Sequence, residues 1–311
     1  MKFELIGDDD YPVVNNLEMS YIKHFFEANT KEDNDQTNRI RETILESIID
    51  LPDYYFINEY GPQWTKLKLE FSKTLSSLCP CSFDKLKVNH KGGMSYNYDF
   101  EVEYFHEKSL VYTQKVEFKN NNFDVKNLPQ FLELYDSDCK SKYSLFTYSY
   151  SEFYYDNFLS EYLKIDGIIQ EKIPRDQYIQ HVKDIKYKHQ FFRMLYENKN
   201  NNKKEKEMLV KKSKQEFLET YSKTFNFDSL TNKIRESQTD KVYLLWNKEQ
   251  FTTKVLKVDE IEILGIKNDS TTDTCFDIIV DNFEYDIRVR LNWGNNNGIA
   301  NPRWKFTFIN K

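Results

Sequence analysis

From Ser95 to Tyr104 polar and apolar residues alternate without a break. A strand there puts Asn97, Asp99, Glu101 and Glu103 on one face and Tyr98, Phe100, Val102 and Tyr104 on the other. Val111 to Lys119 repeats the pattern, with Val116 and Phe118 facing one way and Lys115, Glu117 and Lys119 the other. A hairpin through Phe105 to Ser109 then brings Asp99 and Glu117 together on one face. A shorter strand is predicted from Lys85 to His90, and Gly92-Gly93 separates it from the next.

Helical periodicity dominates on both sides of these strands. Ile40, Ile44, Leu45, Ile48 and Ile49 predict a helix over Thr37 to Asp50. A second helix starts at Pro62, carries Trp64, Leu67, Phe71, Leu75 and Leu78, and stops at Cys79-Pro80. After the polar turn Asn120-Asn121-Asn122, Asn127 is expected to cap a short helix through Leu128, Phe131, Leu132 and Leu134. Tyr143 to Tyr150 reads as a strand and Ser151 to Leu163 as an amphipathic helix, so the elements run helix, three strands, helix, strand. Pro174 to Glu236 is helical with a polar break at Asn198 to Asn202, and Lys203 to Thr224 is its longest helix. Beyond Lys241 strands return, at Val242 to Trp246, Phe251 to Val258, Ile261 to Ile266, Cys275 to Asp281, Tyr285 to Trp293 and Trp304 to Ile309. The expected division is an acidic helical extension (1–60), an α/β core (61–170), a helical, partly basic region (171–240) and a small, mostly antiparallel β module (241–311).

Charge changes this picture locally. The 311-residue chain carries a formal charge of -6, which argues against a sequence-blind polycation that coats nucleic acid. Yet Met1 to Tyr60 holds fourteen acidic residues against five basic ones, whereas His181 to Lys214 holds eleven basic against four acidic. Such asymmetry orients a polyanion. No apolar run reaches the roughly 20 residues a membrane helix needs, and the acidic start is no signal peptide, so a soluble intracellular protein is expected, in cytoplasm or nucleus, with no membrane partner. The four cysteines form no CxxC pair and the five histidines are scattered, so reduced thiols rather than a zinc site are expected. Abundant Asn, Lys, Ile, Tyr and Phe beside only two alanines, Ala28 and Ala300, suggest an AT-rich coding sequence.

Candidate chemistry centres on the two facing strands. Two carboxylates on one face repel each other unless a cation lies between them, and a hard divalent ion with oxygen ligands suits Asp99 and Glu117. Lys119 projects from the same face, where an ammonium can hold a water and stabilise charge growing on a phosphate. Asp99 on the second strand and Glu117-Phe118-Lys119 on the third, within that order of elements, resemble the PD-(D/E)xK nuclease superfamily; the proline is absent, since Tyr98 precedes Asp99. The resemblance covers about a third of the chain, roughly Pro62 to Leu163. It implies a restriction-endonuclease-like mixed sheet and Mg²⁺-dependent phosphodiester hydrolysis, with Mn²⁺ as a substitute. Asp99, Glu117 and the carbonyl of Phe118 would hold the metal, and Lys119 would position the water. Glu101 or Glu103 would replace Asp99 under a shifted register, and Glu70 or Glu46 would supply the additional helix carboxylate that many members carry.

Nucleic acid is the implied partner, with DNA favoured over RNA and an endonuclease favoured among the activities; a homodimer is left open. Lys211, Lys212 and Lys214 on the basic helix are candidates for phosphate contact. Arg288, Arg290 and Arg303, beside the loop Asn295-Asn296-Asn297-Gly298, are candidates for base contact. Trp293 and Trp304 read as core aromatics with base stacking as the alternative, and Gln114 and Lys115 as surface residues or backbone contacts. Two rivals are a catalytically inactive nucleic-acid-binding module and a structural or interaction protein of an AT-rich genome, such as that of a large DNA virus.

Overall fold

In a computed structural model the described residues are 3–6, 11–14, 25, 34–50, 62–92, 96–120, 122–167, 172–183, 186–247, 250–267, 274–295 and 297–311. Much of the acidic 1–60 segment, Gly93 and Asn296 therefore lie outside them. The protein is mixed α/β, with one mixed and one antiparallel five-stranded sheet, and it divides into two compact units. Unit 1 takes Met1–Asn127 and Gln238–Leu256; unit 2 takes Leu128–Ser237 and Lys257–Lys311. The four consecutive segments expected from sequence thus group differently, because the chain leaves unit 1, builds most of unit 2, and returns. Among the described residues, no helix is long and apolar enough to cross a membrane.

Unit 1 opens with a short hairpin of β1 (Phe3–Ile6) and β2 (Tyr11–Val14), then helices α1 (Asn34–Ser47) and α2 (Pro62–Ser76). Strands β3 (Lys85–His90), β4 (Phe100–His106) and β5 (Ser109–Asn120) form an antiparallel meander. Glu107 and Lys108 connect β4 to β5 with φ of 48° and 70°. Those values suit a two-residue hairpin turn but strain non-glycine residues, and Asp84 Oδ2 offsets part of that by accepting the Glu107 N–H at 2.8 Å. The side-chain alternation read from the sequence holds. Phe100, Val102 and Tyr104 from β4 and Val116 and Phe118 from β5 are buried in one core with Ile44, Leu45 and Ile48 of α1. Trp64, Leu67, Phe71 and Leu75, spaced at three and four residues, supply the α2 stripe.

The fourth strand is a correction. Tyr143 to Tyr150 forms no strand: it is a turn running into a helix, and the short helix expected from Asn127 gives way to strand β6 (Leu132–Tyr135), both in unit 2. The aromatic, hydroxyl-rich run Tyr143–Tyr150 suits a strand locally, yet Ser149 caps a helix with Glu152 as its reciprocal partner, and that capping box decides the outcome. The strand beside β5 is instead β7 (Lys241–Asn247), which runs parallel to it with Glu117 opposite Tyr243. Strand β8 (Gln250–Val255) closes the order β3-β4-β5-β7-β8. A parallel neighbour needs a crossover, and the excursion through residues 128–237 provides it. The first two strands expected in the C-terminal module accordingly belong to unit 1.

Unit 2 contains β6, α3 (Asp136–Ser141), α4 (Tyr150–Asn157), α5 (Leu159–Ile165), α6 (Arg175–His181), α7 (Gln190–Glu197), α8 (Lys203–Tyr221) and α9 (Phe227–Gln238, whose last residue falls in unit 1). It ends with β9 (Glu262–Lys267), β10 (Cys275–Asp281), β11 (Asp286–Asn295) and β12 (Ala300–Ile309), and its sheet order is β6-β12-β11-β10-β9. Trp304 and Phe217 are fully buried in it, so Trp304 is a core aromatic. Trp293 packs edgewise on Tyr150 and Tyr154. The helical break at Asn198 to Asn202 is a turn between α7 and α8, as its polarity indicates.

The face assignment of α2 has a measurable consequence. Phe71→Ala removes a fully buried ring and should cost about 3 to 5 kcal/mol in urea denaturation. Leu69→Ala, at a position 63% exposed, should change stability by no more than about 0.5 kcal/mol. Equal losses would show that the buried stripe is wrongly placed.

Candidate active site

Asp99 sits in the bend just before β4 rather than within the strand, and its backbone is held on both sides. Its N–H donates to the Val116 carbonyl at 3.0 Å, and its carbonyl accepts from Lys91 N–H at 2.8 Å. The ladder pairs Phe100 with Val116, so one step further places Asp99 across from Glu117. Oδ2 of Asp99 accepts the Phe118 N–H at 2.8 Å. In a strand the N–H and C=O of one residue project to the same side, so the Phe118 carbonyl is directed toward the Asp99 edge as well.

Glu117 is flanked by two ammonium groups. Lys119 Nζ lies 2.5 Å from its Oε1, and Lys241 Nζ lies 3.6 Å from its Oε2. Lys241 begins β7, is nearly fully buried, and also donates to the Asn97 carbonyl at 3.0 Å. It thus ties Glu117 to the segment that leads into Asp99. Beside Glu117 in the parallel ladder, Tyr243 is buried and donates its hydroxyl to Gln238 Oε1 at 2.6 Å. Helix α1 adds Glu42, whose Oε2 lies 2.9 Å from His90 Nε2, while Glu46 accepts the His90 backbone N–H at 3.1 Å.

These contacts drive the carboxyl groups apart. Burial, followed by the Glu117 charge, pushes Asp99 up to about 7, against an opposing pull from Lys119. Burial would raise Glu117 too, but Lys119 and Lys241 together hold it below the usual carboxylate range. Burial lowers Lys241, whereas on Lys119 the Glu117 and Asp99 charges outweigh burial and raise it. Glu42 is raised by burial against the pull of His90, and its charge is felt at Asp99 and Lys119. One carboxylate is therefore ionised and the other is poised near neutrality, the arrangement that separates acid from base roles.

The donors are hard oxygens: the Asp99 and Glu117 carboxyls and the Phe118 carbonyl. Among the described residues, no three His, Cys, Asp or Glu side chains group closely enough to hold an ion by themselves. Two carboxylates and a carbonyl fit an ion that keeps several of its own waters, as Mg²⁺ does. The mutual repulsion that raises Asp99 is what a cation between the two carboxyls would relieve.

Other expected residues are placed elsewhere or employed internally. Glu101 pairs with Lys91 at 3.1 Å and Glu103 lies opposite Thr113, so neither takes the Asp99 position. Glu70 is half-buried on α2, and the helix carboxylate at the cluster is Glu42, one turn before Glu46. Gln114 is buried and donates to the Lys115 and Asp240 carbonyls, which rules out a substrate-facing role, whereas Lys115 is exposed. Glu42 was legible as the i−4 neighbour of Glu46. Lys241 carried no local signal, because only the pairing of β7 with β5 brings it to Glu117.

The six residues expected to contact nucleic acid all belong to unit 2 and do not form one open cationic face. Arg288 makes a bidentate pair with Asp277 at 2.7 and 2.8 Å, and Arg303 pairs with Glu133 at 3.0 Å beneath the Tyr135 ring. Both guanidinium groups are occupied. Lys212 reaches Glu216 at 3.7 Å, Lys211 is exposed, and Lys206 is buried against Asp166 at 2.7 Å. Lys214, half-buried, is lowered to about 8 by burial and then by repulsion from the nearby charge of the exposed Arg290.

The raised Asp99 makes stability depend on pH. The folded carboxyl titrates near about 7 and an unfolded one near about 3.9, so stability falls as pH rises from about 4 through 7, and the loss is complete above both values. In metal-free buffer, Asp99→Asn should therefore melt above the wild type at pH 8, and the gap should close by about pH 4. A gap that persists at low pH would exclude the Asp99 charge as its source. Compared with known proteins, the chain matches no family model, no curated protein and no solved structure, so its functional reading rests on this geometry.

Proposed function

We propose that the chain is a metal-dependent nuclease of the PD-(D/E)xK type that hydrolyses phosphodiester bonds, with DNA favoured over RNA. The observation that carries this reading is the convergence of Asp99, Glu117, Lys119 and the Phe118 carbonyl at one end of β4 and β5. The element order adds support. Within unit 1, helix α2, strands β3, β4 and β5 and strand β7 follow the order helix, three strands, strand, and the helix that precedes β7 in the chain, α9, falls in unit 2 but for its last residue. The restriction-endonuclease-like core then spans a longer stretch of chain than Pro62 to Leu163, with Lys241–Asn247 as its last strand.

A bound Mg²⁺, or Mn²⁺ in its place, supplies Lewis acidity toward a phosphoryl oxygen and a water of lowered pKa. Asp99, Glu117 and the Phe118 carbonyl are the groups that would hold it. Lys119, raised and thus fully protonated at neutral pH, offers N–H donors to the attacking water and to the charge that develops on phosphorus-bound oxygens. Lys241 keeps Glu117 ionised and fixed, and holds the Asn97 carbonyl against the same ammonium. Glu42 with His90 flanks the cluster from α1. Lys214 and Arg290 are the side chains best suited to a phosphate backbone within unit 2.

Labelled single- and double-stranded DNA and RNA, offered with and without Mg²⁺ or Mn²⁺, provide the direct test. Cleavage of one of them should require the metal. Lys119→Ala should slow it by roughly 10²-fold or more with affinity nearly unchanged, because the ammonium acts mainly in the transition state. Glu117→Ala should abolish cleavage without weakening binding, since it removes an anion facing phosphate. Cleavage that does not need the metal would overturn the metal-dependent reading, and binding without any cleavage, indifferent to both exchanges, would favour the inactive binding module.

A separate measurement concerns unit 2. For duplex DNA, exchanging Lys214 and Arg290 for Ala should flatten the slope of log affinity against log salt by up to about 0.9 for each phosphate no longer neutralised. The paired exchange Asp277→Ala with Arg288→Ala should leave that slope unaltered, because the Arg288 charge is already neutralised within the protein. A slope insensitive to Lys214 and Arg290 would assign both to a solvated surface.

A further inference from the structure

Where α2 ends, the chain turns through Cys79-Pro80-Cys81 before β3, and the two thiol sulfurs lie 3.4 Å apart in a hydrogen-bond contact. Cys79 is half-buried beside the unit 1 core, and Cys81 is exposed. Bends at Pro80 and Cys81 bring the side chains to the same side. Pro80 fixes its own φ and restricts the residue before it, so little freedom is lost in holding this geometry. The other two cysteines, Cys139 and Cys275, are buried and belong to unit 2. Neither thiol of the pair has a part in the proposed hydrolysis.

We propose that Cys79 and Cys81 form a reversible dithiol–disulfide site whose oxidant is a small-molecule disulfide such as glutathione disulfide. The exposed Cys81 thiolate attacks one sulfur of glutathione disulfide, which releases one glutathione thiolate and leaves a mixed disulfide. The Cys79 thiolate then attacks the Cys81 sulfur and displaces the second glutathione. Two electrons pass to glutathione disulfide and two protons leave the protein thiols, so the step balances. Closure needs the sulfurs to approach from 3.4 Å to about 2.05 Å, a change within reach of side-chain rotation because only Pro80 separates the two residues along a bent chain.

The ring so closed contains a single intervening residue. A cross-link across so short a loop removes little unfolded-state entropy, and its constrained geometry makes it easy to reduce. The site is therefore a redox-labile one, poised at the end of α2, rather than a staple on which the fold depends. This inference is independent of the nuclease reading.

Both cysteines fall in one tryptic peptide, residues 74–85, which makes the test direct. The full-length reduced protein is incubated with glutathione disulfide, quenched with acid, digested and weighed. The expected product is that peptide lighter by two hydrogens, with no glutathione retained, and excess reduced glutathione should restore the original mass. Cys79→Ser should instead keep one glutathione on Cys81, because the resolving thiol is gone. Replacing Cys139 and Cys275 by Ala should leave the cross-link unchanged. Wild-type protein that accumulates glutathione on Cys81, or that stays reduced under conditions that fully modify Cys79→Ser, would overturn the proposal.

Discussion

The enclosure of the half-buried Glu117 between two lysines is the interaction on which the first unit's arrangement depends. A carboxylate withdrawn from water is costly unless opposite charge and hydrogen bonds accompany it. Lys119 comes from the same strand, but Lys241 arrives only when β7 lies parallel to β5, so the electrostatic requirement and the sheet topology are one constraint. Once Glu117 is held ionised, Asp99 across the ladder feels its charge and stays poised near neutrality. The hydrophobic face of the same strands, with Val116 and Phe118 on β5, anchors the opposite side against α1 and α2. Alternation along a strand thereby separates a dry core from a charged face without any residue serving both.

A comparable constraint operates in the second unit without the look of chemistry. Asp136 is fully buried, yet it accepts from Tyr150 N–H, Ser151 N–H, Ser151 Oγ and Trp304 Nε1 at 2.6 to 3.0 Å. Burial raises its carboxyl against these four donors. The contacts bind the start of α4 to β12, and they explain why the Ser149-capped helix begins where a strand was expected. The arginines follow the same rule. Arg288 and Arg303 find carboxylate partners on neighbouring strands of their own sheet, which is where cross-strand pairing places long charged side chains.

Local patterning was a good guide where neighbours in sequence are neighbours in space. The alternation around Asp99 and Glu117 located both strands, their hairpin and the shared face, because a two-residue period and a short turn leave few other pairings. The stripes Ile44-Leu45-Ile48 and Trp64-Leu67-Phe71-Leu75 likewise located two helices and the side each buries. It failed at Tyr143 to Tyr150, where aromatic content suggested a strand but a cap and a buried aspartate favoured a helix. Charge counting along α8 registers Lys206 and Lys212 but not the acids that pair with them.

By itself, then, the amino-acid sequence determined the mixed α/β class, the β4–β5 hairpin and the pairing of Asp99 with Glu117-Phe118-Lys119, all of which follow from side-chain period and short loops. Only the tertiary structure decided that Lys241–Asn247 is the strand beside β5, that Lys241 and Glu42 join the charged cluster, and that the chain forms two interleaved units. Those outcomes depend on pairings between residues far apart in the chain, where loop closure costs little extra for added length and no local periodicity distinguishes one partner from another.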